Sequence, residues 1–220
     1  MAVIKPFQAL RPKPEFAQQV ASRPYDVLNS TEAREEVKGN QHSFLHITKA
    51  EVDLPADTDI HSTAVYEKAK ENLQKEIANG ILIKEETPCY YIYELVMDGR
   101  SQTGLVAVSS VDDYFNDKIK KHEFTRPEKE KDRIDHMRTI EAQTGNVFLA
   151  YNNVKEVDEL IATWKKNNNP LYDFIADDGI SHTVWVQGVE CLIEFSSGSL
   201  SSSYSPLRAE RGWGVRRARV

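Results

Sequence analysis

Apolar positions along the chain fall partly at helical spacing and partly in short unbroken runs. In "STAVYEKAKENLQKEIANG" Val65, Ala69, Leu73 and Ile77 stand four apart. Ser62 or Thr63 can cap the start, and Gly80 stands where a helix ends, so the stretch predicts a helix. "VKEVDELIATWKKNN" puts Val157, Leu160, Ile161 and Trp164 on one face. Ser30 can cap a helix whose first turn holds Glu32, as suits the helix dipole. "VDDYFNDKIKKHEF" opens as a short helix. "TRPEKEKDRIDHMRTIEAQTG" predicts another, with Thr125 as cap, Pro127 in the first turn, Glu128 closing a capping box and Gly145 at the end. Its apolar stripe is thin: Ile134, Met137 and Ile140.

The unbroken runs predict strands. They are Val3–Ile4, "SFLHITKAEVDL" with Phe44, Leu45 and Ile47, and "NVFLAY". "CYYIYELV" and "QTGLVAVSS" flank Asp98-Gly99 and predict a hairpin; "LYDFIADDGISHTVWVQ" predicts a second, turning at Asp178-Gly179. Helices and strands alternate irregularly, and no fixed repeat is visible. The pattern points to an α/β or α+β domain over residues 1–187, a mixed sheet with hairpins and flanking helices.

Composition narrows the function classes. The chain has 220 residues, 40% of them hydrophobic, and a formal charge of −6. That acidic balance argues against a general nucleic-acid or membrane-surface binder. No apolar run approaches the roughly 20 residues of a membrane helix. The N-terminus lacks the apolar core of a signal peptide, so Cys89 and Cys191 are expected to be reduced thiols of a cytoplasmic protein. The composition changes near the end. All sixteen lysines lie at or before Lys166, whereas residues 188–220 hold five of the twelve arginines and the run "SSGSLSSSYS". Residues 188–220 are expected to be a disordered or aberrant tail on a truncated protein. "HTVWVQGVECLIEF" would then be an uncovered apolar edge, open to self-association.

Known short motifs for phosphate, dinucleotide or zinc binding are absent. Six histidines are scattered at positions 42, 46, 61, 122, 136 and 182, and no metal-ligand set is assigned. Residues 118–133, "KIKKHEFTRPEKEKDR", stand out: they hold seven Lys and Arg, one His and four acids. One reading is a solvated helix face with acids and bases paired along it. The other is an anion site, in which Lys120, Lys121, His122, Thr125 and Arg126 lead into a helix N-terminus with its free N–H groups and dipole.

Eight segments in order carry a resemblance: "IKPFQALRP", "VASRPYDVL", "SFLHITKAEVDLP", "VYEKAKENL", "QTGLVAVSSVDDY", "IKKHEFTRPEKEKDR", "QTGNVFLAYN" and "YDFIADDGISHTVW". Over residues 1–186 the chain resembles the N-terminal half of the family called domain of unknown function 1015. The loops "ALRP" and "PYDV" are similar to those of the ParB/sulfiredoxin-like superfamily, some of whose members handle ATP or phosphorylate free serine. The resemblance thus implies a ParB/sulfiredoxin-like element and a nucleotide-dependent kinase of a small hydroxyl compound such as free serine, using ATP or ADP with Mg2+. The family's recurrent polar residues fall on Arg11, Tyr25, Asp26, Asn29, His122, Glu123, Thr125, Arg126, Asp132, Arg133 and Gln143. By that resemblance Lys121, His122, Thr125, Arg126, Arg133 and Arg11 would contact nucleotide phosphates, and Glu123 or Asp26 would take the hydroxyl proton. Two departures stand out. Arg23 replaces the first proline of the family's "ASPPYDV", and the family's second half, with its "ADGHHR" motif, has no counterpart. The alternatives are a non-catalytic nucleotide-binding or regulatory domain, and an inactive truncated fragment.

Overall fold

A computed structural model describes residues 2–121 and 126–188. In chain order these form β1 (Ile4–Lys5), β2 (Leu10–Pro12), a 3-10 turn at Pro14–Phe16, α1 (Ala17–Val20), α2 (Ser30–Glu36), α3 (Leu45–Thr48), a second 3-10 turn at Ala50–Asp53, and α4 (Thr63–Ala78). Then come β3 (Leu82–Lys84), β4 (Cys89–Met97), β5 (Arg100–Val106), β6 (Val108–Ser109), α5 (Val111–Phe115), α6 (Pro127–Ile140), α7 (Lys155–Asn167), β7 (Tyr172–Ile175) and β8 (Ser181–Gly188). The fold is mixed α and β, with small, mostly antiparallel sheets. The described residues gather into two compact units: 2–10, 84–121 and 147–188 form the first, 11–83 and 126–146 the second.

The first unit is built on a four-stranded sheet in the order β5-β4-β8-β7, antiparallel throughout. At the β4–β5 turn Asp98 and Gly99 take φ of 51° and 73°. Both central residues are left-handed, as the tightest hairpin turn requires, and Asp-Gly tolerates this. A side chain at Gly99 would meet nothing within 4 Å, so only the backbone opposes one. Gly99→Ala is therefore expected to lower stability by about 1–2 kcal/mol, the cost of placing a Cβ in that region, measured by urea denaturation. The second turn differs from its sequence reading. Only Gly179, at φ 82°, is left-handed there, and a wider loop closes by Ala176 N–H to Ile180 C=O at 2.9 Å. One face of the sheet packs under α7: Ile92, Trp185 and Leu105 meet Val157, Ile161, Val154 and Trp164. Lys165 of α7 pairs with Glu94 of β4 at 2.9 Å beside this cluster.

The second unit is mainly helical. Val20, Ile47, Ala50, Val65, Ala69, Leu73, Ile81, Leu82 and Ile140 form its main core, and Leu28, Ala33, Leu45 and Val52 a second one. α4 forms where its periodicity places it, with Gly80 at φ 67° just beyond its end. Ile77, however, is 43% exposed. A four-residue step overshoots the 3.6-residue turn by about 40°, so three such steps carry position 77 about 120° off the buried face. Tyr66, Asn72 and Glu76 complete that face instead.

Other expectations are corrected by the fold. "SFLHITKAEVDL" forms α3 and a 3-10 turn, not a strand. A short apolar run does not separate the two, and here Lys49 N–H closes on Leu45 C=O at 2.8 Å. "NVFLAY" has no ladder partner among the described residues, and Phe148 and Tyr151 are 52% and 56% exposed. Asn29, one residue before Ser30, caps α2 in a full capping box with Glu32. Arg126 occupies the N-cap position of α6, with Pro127 next, and Thr125, expected as the cap, lies outside the described residues. α6 stops at Ile140 because Glu141 turns left-handed, at φ 58°, well before Gly145. The described part of the expected uncovered edge is β8, which β4 pairs along its length and β7 pairs over 181–184, so among the described residues 185–188 have a ladder partner on the β4 side alone. Cys191 and the tail from residue 189 onward lie outside the described residues.

Candidate functional site

Asp132 gathers the most polar partners in the second unit. It stands in the second turn of α6, and its side chain is 14% exposed. His61 approaches from the turn before α4. That turn is held by Asp59, which accepts the His61 N–H on Oδ1 at 3.0 Å and the Ser62 N–H on its backbone carbonyl at 2.9 Å. His61 Nδ1 lies 2.8 Å from Asp132 Oδ1, and the Tyr66 hydroxyl, one turn into α4, donates to the same oxygen at 2.8 Å. Arg133 closes on the other oxygen with Nε at 2.9 Å and Nη2 at 2.6 Å. Its guanidinium carbon sits 4.3 Å from the centroid of the Tyr25 ring, in cation–π geometry, so the "RPYDV" loop joins the cluster.

Electrostatics follow from this geometry. Burial pushes the Asp132 carboxyl up. The adjacent Arg133 charge and the hydrogen bonds from His61 and Tyr66 outweigh it and hold the group below its usual range. Tyr66 is pushed up, first by burial and then by its bond to that carboxylate. A carboxylate only accepts, so Nδ1 of His61 donates this bond, and in the neutral ring that tautomer has its lone pair on Nε2. The His61 side chain is 60% exposed. Beneath the cluster His136, 2% exposed, donates from Nε2 to Ile47 C=O at 2.9 Å. Its Nδ1 is buried without a partner among the described residues, and burial holds its pKa down.

A separate polar cleft of about 250 Å³ in the same unit is lined by His46, Asp53, Asn72 and Glu76, with Lys68 and Lys75. His46 Nδ1 meets Asp53 at 2.9 Å and Nε2 meets Asn40 C=O at 3.1 Å, so both ring nitrogens donate and the ring is an imidazolium. His42 turns to Glu76 at 2.9 Å. The Asp53 bond raises the His46 pKa against burial. A raised histidine stabilises the fold fully below its unfolded value of 6.5 and loses that contribution as pH climbs through the folded value. His136 has the opposite sign: its contribution is present above 6.5 and is lost as pH falls below it. Stability is therefore expected to fall as pH rises above 6.5 in the native protein. His46→Gln should flatten that alkaline arm while leaving the acid arm. Thermal melts across pH check it.

The residues singled out from sequence are distributed as follows. Arg133 is in the cluster, together with Asp132 and Tyr25. Asp26 is half-buried in the same loop as Tyr25, and Arg11, half-buried on β2, donates from Nη1 to Pro12 C=O at 3.2 Å. Arg126 is exposed at the start of α6. Lys121 belongs to the first unit, where it pairs with Asp117 at 3.2 Å and lies 4.9 Å from the centroid of the Tyr114 ring. His122, Glu123 and Thr125 lie outside the described residues. His61 and Tyr66 were missed. His61 is 71 residues from Asp132 and no local motif links them. Among the described residues no three His, Cys, Asp or Glu side chains gather as ligands of one ion. No helix among them is long and apolar enough to cross a membrane.

No curated protein and no solved structure matches the chain. A family model does, that of a protein of unknown function, across residues 4–194. That span takes in the "RPYDV" loop, His61, Tyr66 and the Asp132–Arg133 pair alike, and the chain belongs to the DUF1015 family.

Proposed function

We propose that the chain is a nucleotide-dependent kinase that transfers a phosphoryl group from ATP to a small hydroxyl compound such as free serine. The observation that carries this reading is the Asp132 cluster: an imidazole aligned by a carboxylate, with a guanidinium beside it, on the helix whose N-cap is the exposed cation Arg126. Phosphoryl transfer asks a protein mainly for positioning and for positive charge around the moving group. Arg126, Arg133 and Arg11, with Lys121, His122 and Thr125, are the proposed phosphate contacts. Asp26 or Glu123 is the proposed acceptor of the hydroxyl proton. A magnesium ion would arrive with the nucleotide and be held chiefly by its phosphates.

Incubation of the protein with ATP, Mg2+ and free serine tests the reading. ADP formed in step with phosphoserine is the expected result. Nucleotide bound without turnover would favour the non-catalytic binding domain, and neither binding nor turnover would remove both readings. Arg126→Ala is expected to weaken nucleotide binding by about 1.5–3 kcal/mol, the range for hydrogen bonds to charged groups, with the fold unchanged because the residue is exposed. Calorimetric titration measures it.

A further inference from the structure

We infer that His61 carries the phosphoryl group covalently on Nε2 during the transfer, a role that rests on the phosphoryl-transfer reading. The observations are the bond that fixes His61, its exposure and the charge beside it. Asp132 Oδ1 accepts the Nδ1–H hydrogen bond at 2.8 Å, which places the lone pair of the neutral ring on Nε2, on a side chain that is 60% exposed. Here Arg133 caps that carboxylate with two bonds, at 2.9 and 2.6 Å. The pair carries no net negative charge to repel the anionic oxygens of a phosphoryl group. An aligned, exposed nitrogen beside a carboxylate already neutralised by a guanidinium is suited to attack phosphorus, with Asp59 on the His61 N–H as the remaining anion.

The steps balance. The Nε2 lone pair attacks the terminal phosphorus of a nucleoside triphosphate. An N–P bond forms, the bridging P–O bond breaks, and the nucleoside diphosphate leaves with its electron pair. The ring, now phosphorylated on Nε2 and protonated on Nδ1, carries a positive charge that Asp132 already faces. The acceptor hydroxyl oxygen then attacks phosphorus. The N–P bond breaks, its electrons return to Nε2, and the hydroxyl proton passes to Asp26 or water. Asp132 is a positioning residue for His61, as carboxylates are for metal-bound histidines, where their loss costs about 10–100-fold.

The test is to incubate the protein with terminally labelled ATP and Mg2+ without acceptor, quench in base, and locate the label by mass spectrometry. A parallel arm uses phosphoramidate, a nucleotide-free phosphoryl donor. The expected result is an acid-labile, base-stable label on the peptide bearing His61, absent in His61→Gln. Asp132→Asn should slow its appearance about 10–100-fold. The exposed His61 can be replaced with the fold intact, which circular dichroism checks. Label from phosphoramidate but not from ATP would overturn the proposal, because an exposed imidazole takes a phosphoryl group from that donor without catalysis. Turnover of ATP with serine but no label in rapid quench would overturn the covalent role and leave the kinase reading standing. No label from either donor and no turnover overturns the proposal.

Discussion

Ile92→Ala is expected to lower the stability of the first unit by about 4 kcal/mol, in the upper half of the range for emptying a fully buried aliphatic site. Ile92 is 0% exposed and lies on β4, an interior strand, between Leu105 and Trp185 on the same face and under Val157 and Ile161 of α7. Paired strands on both sides hold the backbone in place, so the surroundings cannot collapse into the space. The loss is a large fraction of a typical domain's total of about 5–15 kcal/mol. Trp164 and Trp185 both pack in this cluster, so intrinsic fluorescence during urea denaturation reports it. A midpoint close to that of the native protein would mean that α7 does not cover the sheet as described.

Asp132→Ala is expected to destabilise the second unit by about 1–3 kcal/mol, the cost of leaving partly buried donors without their acceptor. The carboxylate serves His61, Tyr66 and Arg133 at once, and its removal leaves the Arg133 guanidinium and the half-buried Tyr66 hydroxyl without their acceptor. Asp132→Asn keeps the shape and one acceptor oxygen and should cost less. The carboxyl is held below its usual range, so its contribution is present above the unfolded pKa of 3.8 and is lost as pH falls through the folded value. The native protein and Asp132→Ala should therefore converge in stability in acid. Denaturant titrations near neutral pH and in acid check both the size and the convergence.

Much of the site's surroundings was legible before the fold was known. The family resemblance marked Tyr25, Asp132 and Arg133, and these meet. The expected convergence of Lys121, His122, Thr125 and Arg126 on one anion was a different reading of the same charge-rich stretch. Of these four, Lys121 has a carboxylate and an aromatic ring of its own within the first unit. Charge density along a sequence does not say which face of a turn each side chain takes. It therefore could not separate an anion site from a set of local ion pairs.

By itself the sequence determined the elements whose signals are local: α4 with its four-residue spacing and terminal Gly80, α7 with its amphipathic face, and the Asp98-Gly99 turn that joins β4 to β5. Each depends on neighbours within a few residues, where backbone sterics and periodicity act directly. Tertiary structure alone decided that "SFLHITKAEVDL" is helical, that Phe148 and Tyr151 stay exposed, and that His61 and Tyr66 share one carboxylate with Arg133. Short apolar runs satisfy a strand and a helix equally, and only the partner they pack against selects one. The polar cluster leaves no periodic trace at all. His61 and Tyr66 reach Asp132 across 71 and 66 residues because α4 and α6 pack together, and hydrogen bonds at that separation depend on where the helices cross.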